Sequence, residues 1–192
     1  MPDDVNDLLA SREGHYVFES GLHGRLWLDL EQLFSRPGRI APLAARLAAR
    51  LDAQRPDVIC GPLVGGALLA QMVALTADIP FVYTERTAWT PGAAWSARYE
   101  LPRPLEHLVR GQRVAVVDDA VNAGSALRAT VAAVCRAGGE VVTLAALLRL
   151  GDTVEPYLAD QGLSLHTLAV RDNTLWPAEQ CPLCARGVPI DS

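Results

Sequence analysis

The 192-residue chain contains no lysine: all 17 of its cationic side chains are arginine. That absence excludes Schiff-base chemistry and any lysine acting as acid or base. Long hydrophobic runs are also missing. The longest, such as Val141–Leu148 with one threonine inside, fall far short of a membrane span. The opening Met1-Pro2-Asp3-Asp4 is acidic rather than a basic stretch leading into an apolar one, so no secretory signal is expected and the location is read as cytoplasmic. There is no basic block, and the net charge is -5, so duplex nucleic acid is not expected as a partner. Four cysteines are too few for a disulfide scaffold in a chain of this length. What remains is a chain that is 50% hydrophobic and 20% charged, enough to bury a sizeable core and too apolar for wholesale disorder.

Periodicity sorts this material into elements. A short amphipathic helix is expected over residues 3–11 and a small hairpin or irregular cap over Tyr16–Leu30. Leu43, Leu47 and Leu51 step by four residues and predict a helix over Ile40–Leu51, broken by Pro56. An alternation of strand and helix follows. Val58–Cys60, Phe81–Tyr83, Val114–Val117, Val141–Leu148 and Leu165–Val170 read as short strands without polar alternation. Ala67–Leu75 and Ser125–Ala137 read as helices, the second stopped by Gly138-Gly139. The expected fold class is therefore α/β, a parallel sheet flanked by helices, with a small N-terminal hood and a long flexible lid. We read one domain over 1–192: hood 1–38, core 39–170 with a lid at 87–113, and a polar C-terminal tail 171–192 packed on the surface. The lid assignment rests on Pro91, Gly92, Pro102 and Pro104 in a stretch without clean period.

The most informative stretch is Val114–Ala126. An apolar strand delivers Asp118 and Asp119 at its end, and the small-residue loop Ala120, Val121, Asn122, Ala123, Gly124 runs into a helix at Ser125 and Ala126. Loop amides and a helix N-terminus form an anion nest suited to a phosphate monoester. Gly124 and Ala123 admit close approach, and Asn122 and Ser125 add side-chain donors. Adjacent carboxylates suit sugar hydroxyls and a developing positive charge. The same residues would also serve as a strand-end pair capping a helix with no ligand. Neither a Gly-x-x-x-x-Gly-Lys loop nor a Gly-x-Gly-x-x-Gly turn is present.

Cys60 and Cys135 fall in apolar runs and are expected to be buried small hydrophobes. Cys181-Pro-Leu-Cys184 has the spacing of half a zinc site, but no second pair follows, so a complete site would need other ligands or a second subunit. His15, His23, His107 and His166 show no metal spacing, and no protein-held metal site is assigned. Trp27 is expected in the core, whereas Trp89 and Trp95 fall in the lid, where large aromatics need a reason for exposure.

The strand, acidic pair and small-residue loop resemble the phosphoribosyl-pyrophosphate motif of type I phosphoribosyltransferases, and Asp118–Ala126 is most similar to the orotate phosphoribosyltransferase form. Gly14–His23, Asp57–Pro62 with Gly65-Gly66, Tyr83–Arg86 and the tail with Cys181, Cys184, Gly187 and Pro189 resemble further segments of that family in the same order. The resemblance implies that Asp118 and Asp119 hold ribose hydroxyls, that residues 120–126 grip the 5-phosphate, and that Leu63, Val64 and Gly65 contact pyrophosphate, with Mg2+ bound mainly through the substrate. It implies a ribosyl oxocarbenium-like transition state, a lid that serves the neighbouring subunit of a homodimer, catalytic roles for Arg86 and Arg98 beside Asp118 and Asp119, and substrate-binding roles for Ser20 and Arg149. The chain departs from the family at Glu19, where a lysine is usual, in its lysine-free lid, and at Arg149, one place out of register. The expected activity is magnesium-dependent phosphoribosyl transfer to a nitrogenous base, with orotate first. A purine phosphoribosyltransferase and a non-catalytic sensor of the donor or a nucleotide are the alternatives. Turnover with a panel of bases separates them.

Overall fold

The structure is a computed structural model, and it describes Val5, residues 9–91 and 93–191, with the side chain of Glu31 excepted. The helix expected over 3–11 falls largely outside these residues, and Ser11 instead opens a strand.

Two sheets organise the chain. The smaller is an antiparallel hairpin of β1 (Ser11–Val17) and β2 (His23–Leu28), extended by a short β9 (Leu175–Trp176) that pairs His23 with Trp176 and Gly24 with Leu175. The tail therefore does more than lie on the surface: it completes the hood. The larger sheet runs β5 (Arg98–Glu100), β4 (Phe81–Ala88), β3 (Val58–Pro62), β6 (Arg113–Val121), β7 (Glu140–Leu150), β8 (Leu165–Arg171). Only the β4–β5 pair is antiparallel.

Helices cover both faces, which is why these strands are apolar throughout. α1 (Pro37–Leu51) and α2 (Gly65–Ala77) lie on one side, and α3 (Ser125–Arg136) and α4 (Glu155–Gln161) on the other. Ile59, Ala115, Val117 and Ala145 pack into the first layer; Cys60, Val116, Leu144 and Ala146 pack into the second. α1 buries Ile40, Leu43, Ala44, Leu47 and Leu51, an i, i+3, i+4 stripe that fixes its orientation. α2, apolar nearly all round, packs on β3, β6 and β4 beside α1, which packs on β7 and β8. Among the described residues, no helix is long and apolar enough to cross a membrane.

Two expectations are corrected. The stretch 87–113, read as an irregular lid, is largely ordered structure, because β4 continues to Ala88 and β5 pairs back against it. Tyr99, Leu101 and Val109 are buried, so the prolines of this stretch mark turns between packed residues. Cys60 is buried as expected, but Cys135 is exposed on α3.

Along the parallel strands the order is β4, β3, β6, β7, β8, so the chain moves outward in opposite directions from β3 and β6. In such sheets a crevice opens beyond the carboxyl ends of the two strands at the reversal. Here those ends are Pro62 and Asp118–Val121.

Candidate active site

A cavity of about 870 Å³ occupies that crevice. Its floor is Leu63, Val64 and Gly65 after β3 and Asp119, Ala120 and Asn122 from β6; Phe18, Leu26, Trp27 and Leu28 of the hood form its roof. Trp27, expected in the core, is half-buried at this roof and stacked 6.2 Å from Phe18. Arg86 and Glu85 at the end of β4 close one side. The corner between sheet and helix is therefore hollow.

Local sequence dictates the floor. Gly65 and Gly66 open α2 directly against the acidic pair. A Cβ at Gly65 would collide with the Asp119 carboxylate, and one at Gly66 would stand 2.5 Å from Asp118 Oδ1. Only glycine permits this approach. Asp118 is buried, accepts the Asp119 amide at 3.0 Å, and is pushed well above the usual carboxylate range, first by desolvation and then by Asp119. Asp119 Oδ1 accepts the Ala120 amide at 2.7 Å, holding its carboxylate at the cavity floor.

The loop after β6 turns into α3 through Gly124 at φ +80°, a left-handed conformation suited to glycine. No side chain caps α3. The Ser125 hydroxyl is shielded from solvent and has no partner, and so is Arg128 Nε. A second hollow of about 300 Å³ lies here, lined by Ser125, Ala129, Trp95 and Tyr157 around Arg128. The Arg128 guanidinium is held between the rings of Trp95 at 4.2 Å and Tyr157 at 4.6 Å. Desolvation lowers its pKa from the ordinary arginine value. Arg128 was not singled out from sequence. The signal was available, since it is the only arginine in the turn after the motif, but its aromatic partners come from distant segments. On the other flank, Asn122 Oδ1 accepts from Asn173 Nδ2 at 3.1 Å.

The remaining expected residues divide. Arg86 reaches the cavity, but its guanidinium is paired with Glu19 at 3.1 Å and packed over Trp89 at 5.2 Å. Ser20 is buried, accepting the Leu22 amide on its hydroxyl and the Trp95 amide on its carbonyl, and does not line the cavity. Arg98 is exposed on β5, outside the cavity wall. Arg149 is paired with Asp152 and Glu155, while its neighbour Leu150 faces the cavity. Alternation along β7 thus turns Arg149 away. Asp118 and the loop residues Val121, Ala123, Gly124 and Ala126 stand behind or beside the floor. Glu19, read from sequence only as a departure, joins the hood to the β4–β5 pair: one carboxylate oxygen receives Arg86 and the Tyr99 phenol at 3.0 Å, and its carbonyl receives Trp89 Nε1 at 3.2 Å. Burial and the Glu19 carboxylate push the Tyr99 phenol upward. The histidines also differ from expectation: the fold brings His15 and His23 beside Cys181 and Cys184.

The chain is similar to known proteins in both sequence and fold. Residues 30–166 match the family described as phosphoribosyl transferase domain. The orotate phosphoribosyltransferase of Caulobacter vibrioides (strain NA1000 / CB15N) is 34% identical over 196 aligned positions, covering 98% of this chain and 94% of that one. The crystal structure of orotate phosphoribosyltransferase from Aeropyrum pernix superposes with a TM-score of 0.63 at 24% identity, covering 84% of this chain and 88% of that one. Adenine phosphoribosyltransferase from Thermoanaerobacter pseudethanolicus superposes with a TM-score of 0.62 at 19% identity, covering 76% and 88%. At these identities the two structures speak to the fold alone, and the fold is common to enzymes named for different bases.

Proposed function

The chain belongs to the phosphoribosyltransferase family, and from that premise we propose that it transfers the phosphoribosyl group of phosphoribosyl pyrophosphate to orotate. The observation that carries this reading is the hollow between the two glycines of α2, the Asp118–Asp119 pair and the hood. Beside it, the second hollow holds the unpartnered Ser125 hydroxyl at the uncapped N-terminus of α3. The carboxylate pair and this helix start are the complements of a ribose diol and of a phosphate.

In this reading the 5-phosphate sits on the amides of residues 120–126 and the Ser125 hydroxyl, with Arg128 behind it. Asp119 accepts from the ribose hydroxyls. Asp118, held well above the usual carboxylate range chiefly by burial, keeps its proton to higher pH than a solvated carboxyl and positions Asp119 by accepting its amide. The backbone of Leu63–Gly65 receives pyrophosphate, and the base lies under Phe18 and Trp27. Transfer breaks the C1–O bond to pyrophosphate and forms a C1–N bond to the base, whose ring N–H proton is lost. Positive charge that grows on the ribosyl ring between these events is met by the Asp119 carboxylate, while the hood excludes water. The oxygen-only donors at the cavity wall, Asp119 and Glu85, fit Mg2+, which takes one or two carboxylates together with substrate phosphates. When bound, magnesium draws charge from the leaving pyrophosphate. The same reading carries a homodimer and a cytoplasmic location; sedimentation equilibrium tests the first.

The experiment is a turnover assay of the purified chain with magnesium, phosphoribosyl pyrophosphate and either orotate or a panel of purine and pyrimidine bases. Orotate consumption with release of pyrophosphate is expected. Consumption of a different base, or tight donor binding with no turnover on any base, overturns the assignment of orotate or of catalysis respectively.

A further inference from the structure

Four side chains from opposite ends of the sequence converge at the outer side of the hood. His15 Nε2 lies 2.9 Å from His23 Nδ1. Cys184 Sγ is 3.3 Å from His23 Nδ1 and 3.6 Å from His15 Nε2, and Cys181 Sγ is also 3.6 Å from His15 Nε2. All four atoms fall within 4.8 Å of one another, and neither cysteine is in a disulfide. None of the four lines the substrate cavity.

Hydrogen bonding alone leaves this cluster unsatisfied. His15 Nδ1 lies 2.8 Å from the Val188 carbonyl, which only accepts, so Nδ1 carries the proton and Nε2 presents a lone pair. His23 Nδ1 and both thiols crowd that single lone pair. If His23 Nδ1 donates to it, the thiols are left with only weak sulfur acceptors, and if His23 Nδ1 instead accepts from Cys184, two ring lone pairs face each other at 2.9 Å. A cation at the centre removes the conflict, because each group then contributes a lone pair.

The spacing identifies the cation. Zinc bonds of about 2.3 Å to sulfur and about 2.0–2.1 Å to nitrogen, set tetrahedrally, place nitrogen and sulfur ligands roughly 3.6 Å apart and two nitrogens roughly 3.4 Å apart. Two of the three nitrogen–sulfur distances, 3.6 Å each, fall on that edge, and the third at 3.3 Å and the nitrogen pair at 2.9 Å lie somewhat inside it. We propose that His15, His23, Cys181 and Cys184 form a Cys2His2 zinc(II) site. Two thiolates and two imidazoles suit a borderline-soft tetrahedral ion, and magnesium or calcium would require oxygen. On binding, each thiol passes its proton to solvent. With four protein ligands no position remains for water, so the ion is structural.

Its surroundings are built for that role. The Val188 carbonyl fixes the His15 tautomer, as an outer-shell partner of a zinc-bound imidazole does. Asp191 grips the His15 backbone from both sides, accepting its amide at 2.8 Å and donating its own amide to the His15 carbonyl at 2.7 Å. The ion would staple the C-terminal segment to the β1–β2 hairpin, whose continuation supplies Phe18, Leu26, Trp27 and Leu28 to the cavity roof.

The test uses the full chain. Elemental analysis after growth with zinc should find one zinc per chain. Cobalt(II) added to the stripped, reduced protein should develop the visible bands of a tetrahedral thiolate complex. Cys184→Ser and His23→Gln should lower the zinc content at least tenfold, whereas Cys135→Ser should retain it. If a variant fails to fold, the cobalt spectrum of the unsubstituted chain decides. Absence of both zinc uptake and the cobalt spectrum in the reduced chain overturns the site, as does wild-type zinc content in Cys184→Ser. A Cys181–Cys184 disulfide that forms in place of metal uptake overturns it as well. These readouts are independent of phosphoribosyl transfer, so this site and the proposed activity stand or fall separately.

Discussion

The Glu19 carboxylate accepts from Arg86 at 3.1 Å and from the Tyr99 phenol at 3.0 Å on the same oxygen. Arg86 is the only cation lining the cavity among the described residues, and Glu19 neutralises it from the hood. An anionic donor or base must compete with that carboxylate. Arg86→Ala should therefore lower kcat/KM by tenfold or more, about 1.4 kcal/mol of transition-state stabilisation. Glu19→Gln, which frees the guanidinium, should lower KM for the donor or the base severalfold. In a double-mutant cycle the Glu19→Gln effect should vanish in the Arg86→Ala background; an unchanged effect would place the anion elsewhere.

Asp118 links the site to stability. Its pKa is raised in the folded protein, chiefly by desolvation and then by Asp119. Between the ordinary carboxylate range and that raised value the folded chain holds a proton that the unfolded chain has released. Stability is therefore greatest below about pH 4 for this group and declines as pH rises through the folded pKa. Asp118→Asn removes that decline. Its Tm should exceed the wild type at pH 8, with the gap narrowing toward pH 5. A Tm gap that widens on acidification would contradict the sign.

The core was legible in the sequence because its strands are buried on both faces: Val58–Cys60 and Val114–Val117 have no polar alternation to confuse the reading, and Gly138-Gly139 ends α3 as expected. The part of the floor that β6 supplies was legible too, since Asp119, Ala120 and Asn122 lie within four consecutive positions. What depends on distant contacts was not. The composition of residues 98–113 reads as irregular, yet Tyr99 and Val109 are anchored by partners elsewhere in the chain. Arg149 carries the right chemistry, but the side it takes on β7 is set by the pairing of Val121 with Arg149 and by acidic residues of α4. His15 and Cys181 are 166 positions apart, so linear spacing could not join them.

The two glycines at the start of α2 are a steric requirement of the carboxylate pair. At Gly66 a Cβ would stand 2.5 Å from Asp118 Oδ1 and 2.8 Å from the Pro62 ring. Gly66→Ala should destabilise the chain by about 1–3 kcal/mol, the ordinary cost of overpacking, read as a lower urea midpoint at unchanged slope. Gly65→Ala should act differently. Its Cβ meets the Asp119 carboxylate, which can swing toward the open cavity, so the loss should fall on turnover more than on the urea midpoint.

Ser125 separates a binding role from a structural one. Its hydroxyl is shielded from water and has no partner, at the uncapped start of α3. Removing a buried hydroxyl that makes no hydrogen bond costs the folded chain little and can relieve an unmet desolvation penalty. Ser125→Ala should therefore leave the Tm in the absence of ligand unchanged or slightly raised. If the hydroxyl donates to a phosphate oxygen, the lost charge-assisted bond is about 1.5–3 kcal/mol, or a tenfold or greater rise in the donor Kd by calorimetry. Ser125→Thr should restore part of that affinity, since it keeps the donor. Equal donor affinity in Ser125→Ala and wild type would remove the phosphate from this corner, because none of the expected stability change could then be traded against binding.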